Sequence, residues 1–174
     1  LLVSRATKIE SLMQGGGHER GFRSGTMNAA GAKAFAVAAT EASDNLTTNM
    51  QRWSELQQRL LAGASREFPW VKVAGSTEYR LANNVNLLFE GCSGDSLLFL
   101  LDRAGIAISN GSACAAGVTS ASHVLVGMGF NQQQASGALR ITFGFETSEA
   151  EIDKLLEALP GAVEGAKKAG FATK

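Results

Sequence analysis

Short apolar runs alternate with longer amphipathic segments along this chain, and this alternation constrains the fold more than any other feature. Apolar runs of four to eight residues are typical of buried strands, whereas longer segments with a 3.6-residue period predict helices. Strands are predicted at residues 1–5, 70–73, 84–89, 106–109 and 138–143, and helices at 28–42, in a second segment ending near 64, and at 93–103, 122–128 and 148–168. This order predicts an α/β or α+β layer, in which helices pack on a sheet.

Three residues mark the ends of the predicted helices. Ser93 is a typical N-cap, and Gly105 lies where a helix of this length ends. Ser148, followed three residues later by Glu151, matches a capping box. The helices that follow Ser93 and Ser148 are therefore the best delimited in the sequence.

Composition excludes several classes of protein. Lys and Arg number 16, as do Asp and Glu, so net charge gives no attraction to nucleic acid or to an anionic membrane. The longest apolar runs, such as Leu97–Leu101, are too short to cross a bilayer.

The two cysteines are far apart and form no Cys-x-x-Cys pair, which predicts reduced thiols in the cytoplasm and no structural zinc. Leu1 is not an initiator Met, so we expect a chain that begins inside a longer protein.

Cys114 is the candidate nucleophile. It follows a predicted strand and has only glycine, alanine and serine within three positions on either side, which leaves a thiol accessible. The alternative is a buried small apolar residue, the more common fate of a single cysteine. Cys92 lies in the turn before a predicted helix, and we expect it to be structural.

Arg140 is the candidate anion-binding residue, because it interrupts an otherwise apolar strand. A buried guanidinium needs an anion, and its planar fork suits a carboxylate. An arginine on an edge strand that reaches solvent is the equal alternative.

The segment Gln14–Thr26 holds five glycines in thirteen residues, and it could bind a phosphate through backbone N–H groups and the Thr26 hydroxyl. A flexible connector is the simpler interpretation of that segment.

Three segments together resemble one family, the cysteine desulfurases of the class V aminotransferase group (NifS/IscS type). Gly15–Thr26 is similar to that family's glycine-rich segment, and Gly111–Cys114 to its active-site cysteine loop. Leu139–Gly144, with Thr147–Asp153 after it, resembles the penultimate strand and last helix. The resemblance implies the C-terminal part of a fold-type-I transferase that depends on pyridoxal phosphate. It assigns residues 1–43 to the end of the large cofactor-binding domain and the linking helix, and 44–174 to the small domain that carries the cysteine loop.

Residue by residue, the resemblance gives three roles. Cys114 receives sulfur from L-cysteine as a persulfide, leaving L-alanine, and passes the sulfur to an acceptor or scaffold protein, as in iron–sulfur cluster assembly. Arg140 binds the substrate carboxylate. Thr26 reaches across a homodimer to the cofactor phosphate of the other subunit. The family's cofactor lysine lies in a Ser-x-His-Lys segment that is absent here, so we expect the chain alone to be inactive.

Three alternatives stay open at this point. A selenocysteine lyase is the nearest enzyme with the same fold. A non-catalytic scaffold that binds a sulfur acceptor through the small domain is the second. A hydrolase that uses Cys114 and His123 is the third, but it requires an oxyanion hole and an orienting group, and the sequence indicates neither.

Overall fold

The computed structural model describes residues 3–110 and 121–171, which form two compact units divided after Leu46. The elements in chain order are α1 (Ala29–Asp44), α2 (Leu46–Glu67), β1 (Lys72–Val73), β2 (Asn84–Leu88), α3 (Gly94–Arg103), α4 (His123–Gly127), α5 (Gln132–Ser136), β3 (Ala138–Thr142) and α6 (Glu149–Phe171). A single 3₁₀ turn, Glu19–Gly21, precedes α1. No helix in the described ranges is both long enough and apolar enough to span a membrane.

The first unit contains the glycine-rich segment and α1. Glu19 and Arg20 both have positive φ values, 50° and 59°, which residues with a side chain seldom adopt. Ser24 is buried, and its hydroxyl donates to the Gly15 carbonyl at 3.4 Å, which joins the two ends of the glycine-rich segment. The segment therefore has a defined local conformation.

Helix α1 begins at its N-cap Asn28, whose side chain accepts the Gly31 N–H at 2.8 Å. No residue of α1 is buried, and Phe35 is 75% exposed.

The predicted strand at residues 1–5 is wrong for residues 3–5, and residues 1 and 2 lie outside the described ranges. Strand pairing requires a neighbouring backbone. Here the segment instead forms a turn, in which the Thr7 N–H donates to the Ser4 carbonyl at 3.0 Å.

The second unit is built on a three-stranded antiparallel sheet in the order β1-β2-β3. In β2 and β3 the side chains alternate between the two faces. Val85, Leu87, Leu139 and Ile141 lie on one face and are buried in the main core. The opposite face carries Asn84, Asn86 and Arg140, and the strand register places Asn86 directly opposite Arg140. One face of the sheet is therefore core, and the other carries polar groups.

Helices α2, α3 and α6 cover the apolar face. Their buried leucines form one cluster with the sheet: Leu56, Leu60, Leu97, Leu101, Leu155 and Leu159. Helices α2 and α6 approach closely at Gly63, where an added Cβ would lie 2.5 Å from a Leu156 methyl carbon. A smaller cluster, which includes Leu88 and Leu125, packs α4 and α5 against the end of the polar face. The predicted architecture of a sheet covered by helices is confirmed.

The predicted helix ends are also confirmed. The Ser93 hydroxyl accepts the Ser96 N–H, and Ser148 and Glu151 form the reciprocal capping box. Helix α5 was not predicted, although Asn131 and Gln134 form a second capping box at its start. Its five residues are too few to show a helical period.

The predicted strand at 106–109 is wrong, because only Ser109 forms a bridge, to Arg140. Within the described ranges, β3 is paired with β2 along its whole length on its other side. Residues 106–108 instead contribute Ile106 and Ile108 to the main core.

Candidate functional site

Arg140 lies in the middle of β3, which has a neighbouring main chain on both sides at this position. Asn86 is its partner in β2. On the other side, the Arg140 N–H donates to the Ser109 carbonyl at 2.7 Å, and the Ser109 N–H donates back at 3.2 Å. These bonds are all main-chain bonds, so the strand positions the Arg140 side chain without using the guanidinium. Arg140 is half-buried, and its side chain lies on the polar face of the sheet.

A pocket of about 340 Å³ opens beside Arg140. Its polar walls are formed by Ser76, Arg80, Asn84, Asn86, Ser122 and Arg140, and its apolar walls include Ala74, Val124, Leu125 and Met128. No Asp or Glu is among the described residues that line it. Two guanidinium charges with no carboxylate beside them make this pocket a site for an anion.

Arg80 is a pocket residue that the sequence alone did not single out. Its Nη2 donates to the Asn84 carbonyl at 3.2 Å, while Nε and Nη1 are buried and have no hydrogen-bond partner among the described residues. Burial lowers the pKa of Arg80. The side-chain oxygens of Asn84 and Asn86 are likewise buried without a partner. Two asparagines spaced i, i+2 in an apolar strand were the available signal, because that spacing places both on one face.

Cys114 lies outside the described residues, which stop at Asn110 and resume at Ala121. Ser109 and Asn110, the last described residues before Cys114, are held by hydrogen bonds. Ser109 is paired with Arg140, and the Asn110 side-chain amide donates to the Asp95 carboxylate at the start of α3. Asn110, which immediately precedes the cysteine segment, therefore directly follows Ser109, the residue that is bridged to Arg140.

Cys92 has the environment expected of a structural cysteine. It is 4% exposed and belongs to the main core, with its Sγ 3.9 Å from the Val163 carbonyl oxygen. Burial raises the pKa of the Cys92 thiol, and this effect exceeds the opposing attraction of Lys167. The thiolate is disfavoured at this position, and a neutral thiol is a poor nucleophile.

Thr26 lies in the first unit, two residues before the N-cap of α1, and is exposed. Its predicted contact with a cofactor phosphate stays a prediction. His18 and His123 are both exposed, and no hydrogen bond or ion pair among the described residues orients the His123 ring. The orienting group that a Cys–His hydrolase requires is therefore not found in the described part of the chain.

The described residues contain no group of three or more His, Cys, Asp or Glu side chains arranged to hold a metal ion. The chemistry that the described residues suggest is instead that of the arginine pocket, which binds an anion through guanidinium and amide groups.

Comparison with known families places these features in context. The family model for aminotransferase class V matches residues 5–155. The chain belongs to the class V aminotransferase family. This match includes both the glycine-rich segment and Arg140.

Among individual proteins, this class V chain is 46% identical over 173 residues to an IscS-like cysteine desulfurase of Mycobacterium tuberculosis, a match that covers 99% of the chain and 44% of the relative. In structure it is similar to a NifS-like protein of Rickettsia africae, with a TM-score of 0.78, 25% identity, and coverage of 91% of the chain and 41% of that protein. It also resembles SspA in complex with cysteine, with a TM-score of 0.52, 26% identity, and coverage of 80% and 37%. The chain spans less than half the length of these relatives, and it shares the fold of NifS-like proteins.

The class V family implies pyridoxal phosphate, whose aldehyde is held by a lysine. The described lysines of the second unit are used elsewhere. Lys72 pairs with Glu90, Lys154 donates to the Gly105 carbonyl, Lys167 lies over the Trp70 ring, and Lys168 pairs with Glu164. None of them lines the Arg140 pocket. The arginine pocket of the second unit therefore fits a carboxylate, and none of the described lysines lines it to hold the cofactor aldehyde.

Proposed function

We propose that this chain is the part of a pyridoxal-phosphate-dependent cysteine desulfurase that binds the carboxylate of L-cysteine and carries the sulfur-accepting thiol. Membership of the class V family and 46% identity to an IscS-like cysteine desulfurase support the reaction class. Binding of cysteine by the structural relative SspA supports the substrate. The observation that carries the proposal is Arg140, which is half-buried and lines a pocket that has no acidic residue among its described lining residues.

Arg140 binds and orients the substrate. A pocket of about 340 Å³ lies within the range of small-molecule pockets, about 300–1,000 Å³, and is large enough for an amino acid. A carboxylate held by the guanidinium fixes one end of L-cysteine and leaves the thiol end to turn toward the cysteine segment. Because the substrate is bound in a fixed orientation, its sulfur and the attacking thiol do not have to meet by diffusion in solution.

Cys114 accepts the sulfur. Its thiolate attacks the substrate sulfur, so an S–S bond forms and the Cβ–S bond of the substrate breaks. The bonding electron pair stays on Cβ, which takes up a proton, and the products are L-alanine and a persulfide on Cys114. Pyridoxal phosphate, when bound in the complete enzyme, withdraws electrons from the substrate Cα. Three residues lie between Asn110 and Cys114, so the two Cα atoms are at most about 14 Å apart, and Ser109, next to Asn110, is paired with Arg140 of the pocket.

The remaining roles belong to the complete protein. Thr26 binds the cofactor phosphate of the other subunit in a homodimer. Residues 1–43 complete a large cofactor-binding domain and its linking helix, while 44–174 form the small domain. The persulfide is passed to an acceptor or scaffold protein of the cytoplasm, for iron–sulfur cluster assembly. Because the sequence has no Ser-x-His-Lys segment, we expect the 174-residue chain alone to be inactive.

The test is activity in a hybrid enzyme, in which this chain replaces the matching segment of the Mycobacterium tuberculosis relative. With pyridoxal phosphate and L-cysteine, the hybrid enzyme should form alanine, and the chain alone should not. Cys114→Ser should abolish sulfur transfer, whereas the matched control Cys92→Ala should retain it. Full activity of Cys114→Ser would refute the proposed role. A strong preference for selenocysteine would instead favour the lyase.

A further inference from the structure

We infer that Arg80 is a second anion-binding residue of the Arg140 pocket and that the two guanidinium groups together hold the carboxylate of one small ligand. This inference rests on the proposed function for the identity of the ligand, an amino acid. It adds a binding residue from a different element, the loop between β1 and β2.

The first observation is the unused hydrogen-bonding capacity of Arg80. A guanidinium has five N–H donors and stays charged in proteins. The Nη2 atom is used, because it donates to the Asn84 carbonyl, but Nε and Nη1 carry three N–H donors that have no partner among the described residues. Buried charged donors without partners are costly, so such groups indicate a missing acceptor.

The second observation is that the main chain around Arg80 is fixed independently of a ligand. The Gln57 side-chain nitrogen, on α2, donates to the carbonyls of Leu81 and Ala82 at 3.1 and 2.9 Å. On the other side, the Ser76 hydroxyl accepts the N–H of Tyr79 at 2.9 Å. The loop is thus held before and after Arg80, which leaves the free donors of the guanidinium available to a ligand.

The third observation is the charge of the pocket. Arg80 and Arg140 both line it, with serines, asparagines and apolar residues but no Asp or Glu among the described lining residues. Burial lowers the pKa of Arg80, as expected for a cation without a counter-ion. A bound carboxylate would supply both the missing charge and the missing acceptors. The unpaired side-chain oxygens of Asn84 and Asn86 could then accept hydrogen bonds from donor groups of the same ligand.

Acetate and its neutral isostere acetamide are the probes, added to the ¹⁵N-labelled 174-residue chain. By NMR, acetate should shift the Nε–H signals of both Arg80 and Arg140, while acetamide should not. Arg80→Met should weaken acetate binding at least tenfold. Arg66→Met removes one positive charge from an exposed position on α2 and is the matched control; it should leave binding unchanged.

Acetate binding of equal strength in Arg80→Met, or no acetate binding at all, would overturn the inference. If Arg80→Met disturbs the loop before acetate is added, Arg80→Lys decides, because it keeps the charge but loses the fork: we expect binding several-fold weaker, and unchanged binding counts against the inference. Failure of the hybrid enzyme to make alanine, with acetate binding intact, would refute the proposed function alone. Alanine formation with acetate binding that does not need Arg80 would refute this inference alone.

Discussion

Replacement of Arg140 by methionine should weaken substrate binding and leave the fold intact. The main-chain bonds between Arg140 and Ser109 do not depend on the side chain, and neither does the pairing with Asn86. Because methionine is apolar and of similar length, we expect the variant to fold with little change in thermal stability. The variant should instead lose affinity for the carboxylate of the substrate.

The size of that loss follows from the contacts removed. A hydrogen bond to a charged group contributes about 1.5–3 kcal/mol, and each 1.4 kcal/mol is about tenfold in an equilibrium constant. Loss of one bond predicts a decrease in kcat/KM of at least about tenfold, and loss of a bidentate pair a decrease of about 100-fold or more. Arg140→Lys, which keeps the charge without the fork, should fall between the variant and the wild type.

The assay is the steady-state rate of alanine formation by the hybrid enzyme at several L-cysteine concentrations, with thermal unfolding measured on the same samples. Thr142→Ala is the matched control, because Thr142 is exposed two residues further along the same strand and does not line the pocket. A decrease of less than about threefold in kcat/KM for Arg140→Met, with the fold intact, would refute the role of Arg140.

Three further predictions concern stability and thiol reactivity. Gly137→Ala should destabilise the chain by about 1–3 kcal/mol or more, because its Cβ would lie 2.1 Å from a backbone carbonyl oxygen. Gly161→Ala in α6 is the control and should not destabilise it in this way, because Gly161 has open space around it. Urea unfolding of both variants tests this difference. Arg59 lowers the pKa of Asp153 below its ordinary value of 3.8, so this carboxylate stabilises the fold above that pH and the stabilisation disappears as the pH falls through the lowered pKa. Asp153→Asn should therefore be less stable than the wild type at neutral pH, with a gap that closes in acid; a gap independent of pH would contradict the assignment. Cys92 should resist iodoacetamide in the native chain and react only after unfolding, as followed by mass spectrometry, because burial raises the pKa of its thiol.

The sequence predicts the main helices and the two long strands because their signals are local. Apolar periodicity marks α2 and α6, and the side chains of Ser93 and Ser148 accept N–H groups at the predicted caps. The boundaries differ by a few residues, as with α2, which extends to Glu67 rather than ending near 64.

The errors arise where pairing decides the structure. The predicted strand at 1–5 begins with three apolar residues, and 106–109 contains two isoleucines and an alanine, but a strand needs a partner along its length. Ser109 alone pairs, with Arg140. Residues 106–108 belong to the core through their side chains, a burial that composition cannot distinguish from strand formation.

The candidate site was predicted in part. Arg140 is singled out because a charged residue interrupts an apolar strand, a signal that is visible in sequence; it lines a pocket, and its role in substrate binding stays a prediction. Arg80 gives no such signal, since it lies in a polar loop. It lines the pocket in the folded chain, where its Nη2 donates to the Asn84 carbonyl. Roles assigned to Cys114 and Thr26 by resemblance stay predictions.

The most direct test of the account is the mass of the peptide that contains Cys114, isolated from the hybrid enzyme after a single exposure to L-cysteine and pyridoxal phosphate. We expect one added sulfur atom on Cys114, removable by a reducing agent, together with an equal amount of alanine. Alanine formed with the extra sulfur on Cys92, or on neither cysteine, would contradict the account.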